Sequence, residues 1–391
     1  MSCARFENIG WTVGSHCNAR CGHCYSRPTR SGDPGGLDAT QLEHIVQRLV
    51  AMGARSVNLG GNEPAFTHGP RLEDSQLPWL LARTHQAGLT TGLTTNGTSF
   101  HFLADHHPDA LATLNDVDFS LDFPTQARHD RHRGIPLFAG VIHGIQRCRE
   151  LGIPCAIATT ATAASFEPDT LAAFLELSRL LGCELRVNTL QPVEPSLLGS
   201  MPSPEAWYRG FALLLSQTDC VTLGDACMAA FTGQDAQGCP CGHSSFRIHG
   251  PTRDGTVPIS PCVYAHAFRG GDLLQQSPES ITTAEPFASF AARRRRLPRA
   301  CRDVDCPWLE RCRGGCASRA WLVHGSLEAR DPYCPLTYRQ LHGALPPLPE
   351  RVTMARGSGT RVHEGYLCTW IGRPREAREL PLRGLSDFFD A

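Results

Sequence analysis

Trp11-Thr12-Val13-Gly14-Ser15-His16-Cys17-Asn18-Ala19-Arg20-Cys21-Gly22-His23-Cys24-Tyr25 is the stretch that decides how this chain is read. A C-x3-C-x2-C run directly after a β-rich apolar segment places three thiolates on one short loop. There they can hold three corners of an iron-sulfur cube and leave the fourth iron open to a ligand. A structural zinc site is the alternative for such thiols, but zinc takes four closed ligands and favours C-x2-C pairs, which this spacing does not supply.

The rest of the chain suits an enzyme of more than one part. Its 391 residues exceed the ~250 to 300 at which single cores stop growing. A formal net charge of -1 gives no global field for nucleic acid, and the basic run Arg293 to Arg296 is short enough to be a solvated helix face. With no apolar stretch of about 18 residues and no basic-then-apolar leader, no membrane partner is expected and cytoplasm is the default location. The 18 cysteines fall below the ~8 to 10% that marks a disulfide scaffold, and they cluster at front and back. Reduced thiols for metal are the better reading.

Short β-branched runs alternate with helical patterns. The expected strands are Ile9 to Val13, Ser56 to Leu59, Thr90 to Thr95, Val117 to Leu121, Cys155 to Thr160 and Glu184 to Thr189. The expected helices are Leu37 to Met52, Asp74 to Ala87, Phe100 to Leu114, Pro136 to Leu151 and Pro168 to Leu181. Such units predict an α/β fold around a right-handed parallel sheet, with function at the carboxyl ends of the strands. The cysteine triad follows the first strand, as that rule requires.

The triad, its place after strand one and the aromatic Tyr25 together resemble the radical S-adenosylmethionine (SAM) enzymes. The resemblance implies a partial (β/α)6 barrel and a [4Fe-4S] cluster on Cys17, Cys21 and Cys24. It also implies SAM bound at the open iron and cleaved to a 5'-deoxyadenosyl radical that abstracts hydrogen from unactivated carbon. Strand two ends in Leu59-Gly60-Gly61-Asn62-Glu63-Pro64, similar to the family's Gly-Gly-Glu with an asparagine inserted. It carries the SAM ammonium contact to Gly60, Gly61 and Glu63. Strand four closes with Ser120-Leu121-Asp122, and Ser120 and Asp122 are expected at the methionine carboxylate or ribose. Asn96-Gly97 reads equally as an ordinary turn, and Asn188 and Gln191 as cavity lining or loop caps.

From about Ser203 the alternation stops and the cysteines return. Cys239-Pro-Cys241 runs on to Cys262, and then come Cys301, Cys306, Cys312, Cys316 and Cys334. With its Cys312-Arg-Gly-Gly-Cys316 core this half resembles the SPASM extension of peptide-modifying radical SAM enzymes. It departs from that pattern in a longer first cysteine pair and a longer gap before Cys262. The resemblance implies two auxiliary [4Fe-4S] clusters. One would lie on Cys239, Cys241, Cys262 and Cys316, the other on Cys301, Cys306, Cys312 and Cys334. A zinc ribbon is the alternative for this half. Seven cysteines remain: Cys148, Cys155 and Cys183 read as small buried hydrophobes, while Cys3, Cys220, Cys227 and Cys368 are core fillers or thiols near the radical. The expected parts are a barrel over 1–200, a connecting helical segment over 201–235, the cysteine-rich domain over 236–340 and a tail over 341–391. The tail's Pro346, Pro347 and Pro349 read as an extended linker, and 365–371 as an edge strand, a cover for the cavity or a segment without fixed structure.

The wording of the motifs resembles the branch whose precursor leaders are similar to a small nitrogen-fixation protein. What this implies is a maturase of a ribosomally made precursor peptide, including spliceases, lyases that excise a tyramine-equivalent and leave an α-keto-β-amino acid. The rivals are a thioether or carbon-carbon crosslinking maturase and, from another class, a non-catalytic iron-sulfur carrier or scaffold. Val263 after Cys262, where sulfatase maturases carry aspartate, argues against that group. The expected partners are the precursor, a separate leader-binding protein and an electron donor such as a ferredoxin or flavodoxin. The leader-binding partner is expected because neither end of the sequence shows a winged-helix pattern. No catalytic acid, base or hydrogen donor is assigned.

Overall fold

A computed structural model describes residues 6–29, 35–234, 238–350, 352–355, 361–365, 369–375 and 384–389. Cys3 and Cys368 lie outside them. The chain runs β1 (Asn8–Trp11), α1 (Ala39–Ala51), β2 (Ser56–Leu59), α2 (Leu77–Gln86), β3 (Thr90–Thr95), α3 (Thr98–His106), α4 (Pro108–Leu111), β4 (Asp116–Ser120), α5 (Gln126–Arg133), α6 (Phe138–Glu150), β5 (Cys155–Ala161), α7 (Pro168–Leu181) and β6 (Glu184–Thr189). Adjacent strands from β1 to β6 pair in parallel, giving the expected sheet.

The helices form where apolar residues recur at helical spacing. In α1, Leu42, Ile45, Val46 and Leu49 make one buried stripe. A capping box starts it: Asp38 Oδ1 accepts from the Gln41 amide at 2.9 Å, and Gln41 Oε1 accepts from the Asp38 amide at 3.0 Å. The long helix expected over 100–114 is two, because Pro108 has no amide to continue α3 and opens α4 instead. The charged Gln126–Arg133 segment gave no apolar period, yet it is α5, ended by left-handed Gly134.

Beyond β6 come α8 (Pro204–Gln217), β7 (Thr218–Leu223), α9 (Ala226–Thr232), β8 (Ser245–Ile248), β9 (Ile259–Ser260), α10 (Pro278–Thr283), α11 (Phe287–Arg295), α12 (Leu309–Cys312), α13 (Ala317–His324), α14 (Pro335–His342) and β10 (Trp370–Pro374). Residues 201–235 are therefore not helical throughout, since they hold β7. The sheet has ten strands in the order β7-β10-β6-β5-β4-β3-β2-β1-β8-β9. Strand β8, from the cysteine-rich half, adds in parallel to β1 with Asn8 opposite Ser245 and Trp11 opposite Ile248. Strand β10, from the tail, lies antiparallel between β6 and β7.

The lumen of the barrel explains why the tail is held. In β4 the period-2 pattern turns Val117 and Phe119 to the helices and leaves Asp116, Asp118 and Ser120 on the other face. In β6 it does the same for Glu184, Arg186 and Asn188. Arg361 from the tail is buried among these acids: Nη2 lies 2.5 Å from Asp118 Oδ1, and Nε lies 3.2 Å from Glu184 Oε2 and 3.6 Å from Asp116 Oδ2. Arg186 pairs with the other Asp118 oxygen, and Arg373 reaches Glu184 Oε1 at 2.6 Å. Removing one member of a buried ion network leaves charges uncompensated. Arg361→Met should therefore lower the unfolding free energy by roughly 3 to 5 kcal/mol, read from the denaturant midpoint. A loss under about 1 kcal/mol would mean the network does not hold the tail.

Candidate functional site

The residues expected at the site converge on one cleft at the carboxyl ends of the strands. It encloses about 1440 Å³, mouth included. Cys17, Cys21 and Cys24 line it, together with Gly61, Glu63, Asn96, Ser120, Asp122, Asn188 and Gln191. Cys241 and Cys262 line the same cleft from the cysteine-rich half. Gly60 backs it, its carbonyl accepting from the Arg247 guanidinium.

The cysteine loop is tied down from three sides. Asn18 Oδ1 accepts from Asn96 Nδ2 at 2.8 Å, which fixes the loop to the turn after β3. Arg27 Nη2 donates to the carbonyls of Cys21 and Gly22 at 2.8 and 3.0 Å. His266, far along the chain, meets the Tyr25 carbonyl at 2.8 Å through Nε2. Gly61 must be glycine: its φ is +104°, and a Cβ there would meet Arg247 Nη2 and Thr12 Oγ1 at 2.4 Å.

Glu63 is buried with its carboxylate turned to the β3 to α3 connection. It accepts from the Asn96 amide at 2.8 Å, from the Ser99 amide at 2.9 Å, from the Ser99 hydroxyl at 2.5 Å and from the Thr95 hydroxyl. Burial raises its pKa against these donors. The side chain thus orders the turn that carries Asn96 as well as lining the cleft.

Sequence reasoning missed the contribution of α5. It brings His129, His132 and Arg133 to Asp122, with Arg133 Nε 2.6 Å from Asp122 Oδ2 and Arg133 Nη1 3.4 Å from Cys21 Sγ. The spacing within a polar helix carried no signal of its own, and only the fold places it beside the cysteine loop. Arg247, Arg186, Thr160 and the edge-to-face pair Tyr25 and Tyr264, 5.2 Å apart, also line the cleft unforeseen.

The rear cysteines separate into two places. Cys239, Cys262 and Cys316 share a small pocket with Gln191, Asp225 and Tyr264, while Cys241 stands beside Cys262 on the main cleft. Cys301, Cys306, Cys312 and Cys334 all line a third pocket with Gly314 and Arg330. Gly314 and Gly315, at φ +91° and +75°, let the chain turn sharply between Cys312 and Cys316, so the two sulfurs serve different pockets. A Cβ would meet Pro298 at 2.5 Å or Asp331 at 2.4 Å. Asp331 accepts from the Cys316 amide at 2.6 Å and is held by buried Arg319, which also grips Asp225.

Arg293 is not part of a solvated face: it is buried, and its Nη2 donates to the Gly314 carbonyl at 2.6 Å. None of the sixteen described cysteines is in a disulfide. Cys148, Cys155, Cys183, Cys220 and Cys227 are buried, as expected of core fillers.

Two deeply buried histidines give the fold a pH dependence. His129 Nδ1 accepts from the Asp122 amide at 3.1 Å, and burial, reinforced by Arg133, holds its pKa at about 3. His249 contacts the Ser260 hydroxyl through Nε2 at 2.7 Å, and burial with Arg247 beside it keeps it well below the usual histidine value. The unfolded chain takes up protons near pH 6.5 that the folded chain refuses, so stability is full above that pH and falls below it. Between pH 6 and 5 the unfolding free energy should drop by up to about 1.4 kcal/mol per pH unit for each such histidine. Urea melts from pH 7.5 to 5 check this, with a shallower decline for His129→Gln. A midpoint independent of pH would contradict it.

Residues 11–181 match the Radical SAM superfamily. The mycofactocin maturase MftC of Mycolicibacterium smegmatis is 25% identical over 348 residues, covering 83% of this chain and 82% of that one. The AdoMet-dependent heme synthase of Nitratidesulfovibrio vulgaris is 22% identical over 366 residues, covering 85% and 93%. Among solved structures, native anSMEcpe with bound AdoMet superposes with a TM-score of 0.62 at 16% identity, over 86% of this chain and 95% of that one. Streptococcus suis SuiB bound to precursor peptide SuiA gives 0.60 at 16% identity, over 84% and 76%. At such identity these two show the shared fold. No helix among the described residues is long and apolar enough to cross a membrane. Residues 11–181 are therefore similar to the radical SAM superfamily, and the chain shares the α/β fold of the anSMEcpe structure and continues into a cysteine-rich C-terminal half.

Proposed function

We propose that the protein is a radical SAM maturase of a ribosomally made peptide, with a [4Fe-4S] cluster on Cys17, Cys21 and Cys24 and two auxiliary clusters in the rear half. The observation that carries this is the shared cleft: the front triad and the Cys241 and Cys262 pair line one cavity. An isolated electron carrier has no use for such a chamber. The donor set fits cubes better than single ions. Four thiolates on one zinc at ~2.3 Å each lie roughly 3.8 Å apart. Among the described residues no three cysteine sulfurs lie within 4.8 Å of one another.

When bound, the front cluster and SAM supply a 5'-deoxyadenosyl radical able to take hydrogen from carbon. The chain's own residues position and enclose. Gly60 and Gly61 bring backbone to the cleft, Glu63 holds the turn carrying Asn96, and Ser120 offers a hydroxyl. Asp122 faces the cleft too, with its charge committed to Arg133. Asn188 and Gln191 present amides suited to a peptide backbone, and Gln191 reaches Cys316 Sγ at 3.9 Å through Nε2.

The likeness to a heme synthase favours a second reading, a tetrapyrrole substrate. The propionates of such a ligand need cations, yet Arg186 and Arg247 on the cleft wall are engaged by Asp118 and by the Gly60 carbonyl and Thr12. The peptide reading is therefore preferred. MftC is a maturase and SuiB is bound to a precursor peptide, which agrees with it. Within it we favour excision of a tyramine-equivalent, with an α-keto-β-amino acid left behind. A separate leader-binding protein and a ferredoxin or flavodoxin complete the proposed system in the cytoplasm. The assigned parts are the barrel over 1–200, the connector over 201–235, a SPASM domain over 236–340 and the tail.

The anaerobically reconstituted protein should hold about twelve irons, and the Cys17, Cys21 and Cys24→Ala triple variant about eight, with SAM cleavage abolished. About four irons in the intact protein, or zinc in the rear half, would refute the auxiliary clusters. Co-expression with candidate precursors, with and without the leader-binding protein, tests the substrate by mass spectrometry. A mass loss of one tyramine-equivalent supports excision, whereas a loss of two hydrogens supports a crosslink. SAM cleavage with no change in any precursor, but turnover of an iron porphyrin, would replace the peptide reading by the tetrapyrrole one.

A further inference from the structure

We propose that Arg133 and Asp122 are an opposed pair that sets the reduction potential of the front cluster, Arg133 raising it and Asp122 restraining it. This moves Asp122 from a SAM contact to a positioning residue, and it rests on the reading of Cys17, Cys21 and Cys24 as cluster ligands.

The geometry is direct. Arg133 points Nη1 at Cys21 Sγ, 3.4 Å away, and holds Asp122 Oδ2 with Nε at 2.6 Å. Both side chains are buried, at 8% and 2% exposure, so little water screens them. Two imidazoles close the other side of the carboxylate: His23 Nε2 is 3.4 Å from Oδ1, and His132 Nε2 is 3.9 Å from Oδ2. His23, Asp122 and His132 have ligand atoms within 4.8 Å of one another, as a cation site would. Yet Arg133 already sits on the same carboxylate oxygen, and His23 Nδ1 contacts His132 Nε2 at 2.6 Å. A bound cation would face a guanidinium. The group is instead a fixed electrostatic shell, in which Arg133 touches both Cys21 and Asp122.

Arg133 holds the loop through its backbone, where its carbonyl accepts from the Arg20 amide at 2.9 Å, and that bond leaves the contact of its guanidinium with Cys21 unexplained. Asn18, Arg27 and His266 tie that loop through other atoms, whereas the Arg133 guanidinium meets a cysteine sulfur of the triad. Reduction adds one electron to the cluster and makes its sulfurs more negative. A cation and an N–H facing sulfur favour the reduced form, while a nearby carboxylate opposes it. The two residues must then shift the potential in opposite directions. A scaffold role gives no such sign.

The test uses full-length protein reconstituted anaerobically and titrated with reductant. It follows the EPR signal that the Cys17, Cys21 and Cys24→Ala variant lacks. Arg133→Met should lower the midpoint by a tenfold or greater fall in the reduction equilibrium constant, 59 mV for one electron. Arg133→Lys, which keeps charge without the planar fork, should fall between that variant and wild type. Asp122→Asn should raise the midpoint. Shifts of one sign for Arg133→Met and Asp122→Asn, shifts within the error of the titration, or loss of this cluster from Arg133→Lys would overturn the proposal. A wild-type protein with no EPR signal dependent on the triad would instead overturn the cluster reading beneath it.

Discussion

The parallel pairing of β8 with β1 is the constraint on which the rest of the molecule depends. Four residues of the cysteine-rich half, Ser245 to Ile248, extend the barrel sheet in register with the strand that leads into the cysteine triad. Arg247 locks the junction by reaching from β8 across β1 to Thr12 and the Gly60 carbonyl on the next strand. Because Cys241 precedes β8 and Cys262 follows β9, this one pairing carries both cysteines to the wall of the cleft that opens beside Cys17, Cys21 and Cys24. Two groups of thiols far apart in sequence become two walls of one chamber.

A common device recurs at the cysteine groups, in which arginine lies near sulfur inside the protein. Arg133 contacts Cys21, and Arg330 lines the pocket of Cys301, Cys306, Cys312 and Cys334. Thiolate clusters carry net negative charge, and burying such charge without compensation is costly. Of the run Arg293 to Arg296, which read as a surface run, Arg293 is buried and Arg294 half-buried, while Arg295 and Arg296 are exposed.

Much of this was legible in the sequence because the relevant signals are local. The six barrel strands fall within two residues of where β-branched runs put them, with β4 and β6 alternating apolar residues toward the helices and polar ones toward the lumen. The cysteine triad and the Gly-Gly turn are read from spacing, and the fold brings them together at the strand ends. Gly314 and Gly315, between Cys312 and Cys316, are explained as two left-handed residues with no room for a side chain. What was not legible depends on partners distant in the chain. Helix α5 is charged on every side, so no apolar period marked it, and Arg133 gains meaning only next to Cys21. Strand β10 overlaps the end of the 365–371 stretch read as a possible edge strand but is paired on both sides, and nothing in the sequence around Arg361 names Asp118 or Glu184 as its partners.

The central claim is that two cluster sites, one on the triad and one on Cys239, Cys241, Cys262 and Cys316, open onto a single cleft. Anomalous diffraction at the iron edge, from anaerobic crystals of reconstituted protein, tests it most directly. The account predicts an iron peak at the triad, a second at Cys239, Cys241, Cys262 and Cys316 facing the same cavity, and a third at Cys301, Cys306, Cys312 and Cys334. A single iron peak at the triad, with signal at the zinc edge among the rear cysteines, would contradict it.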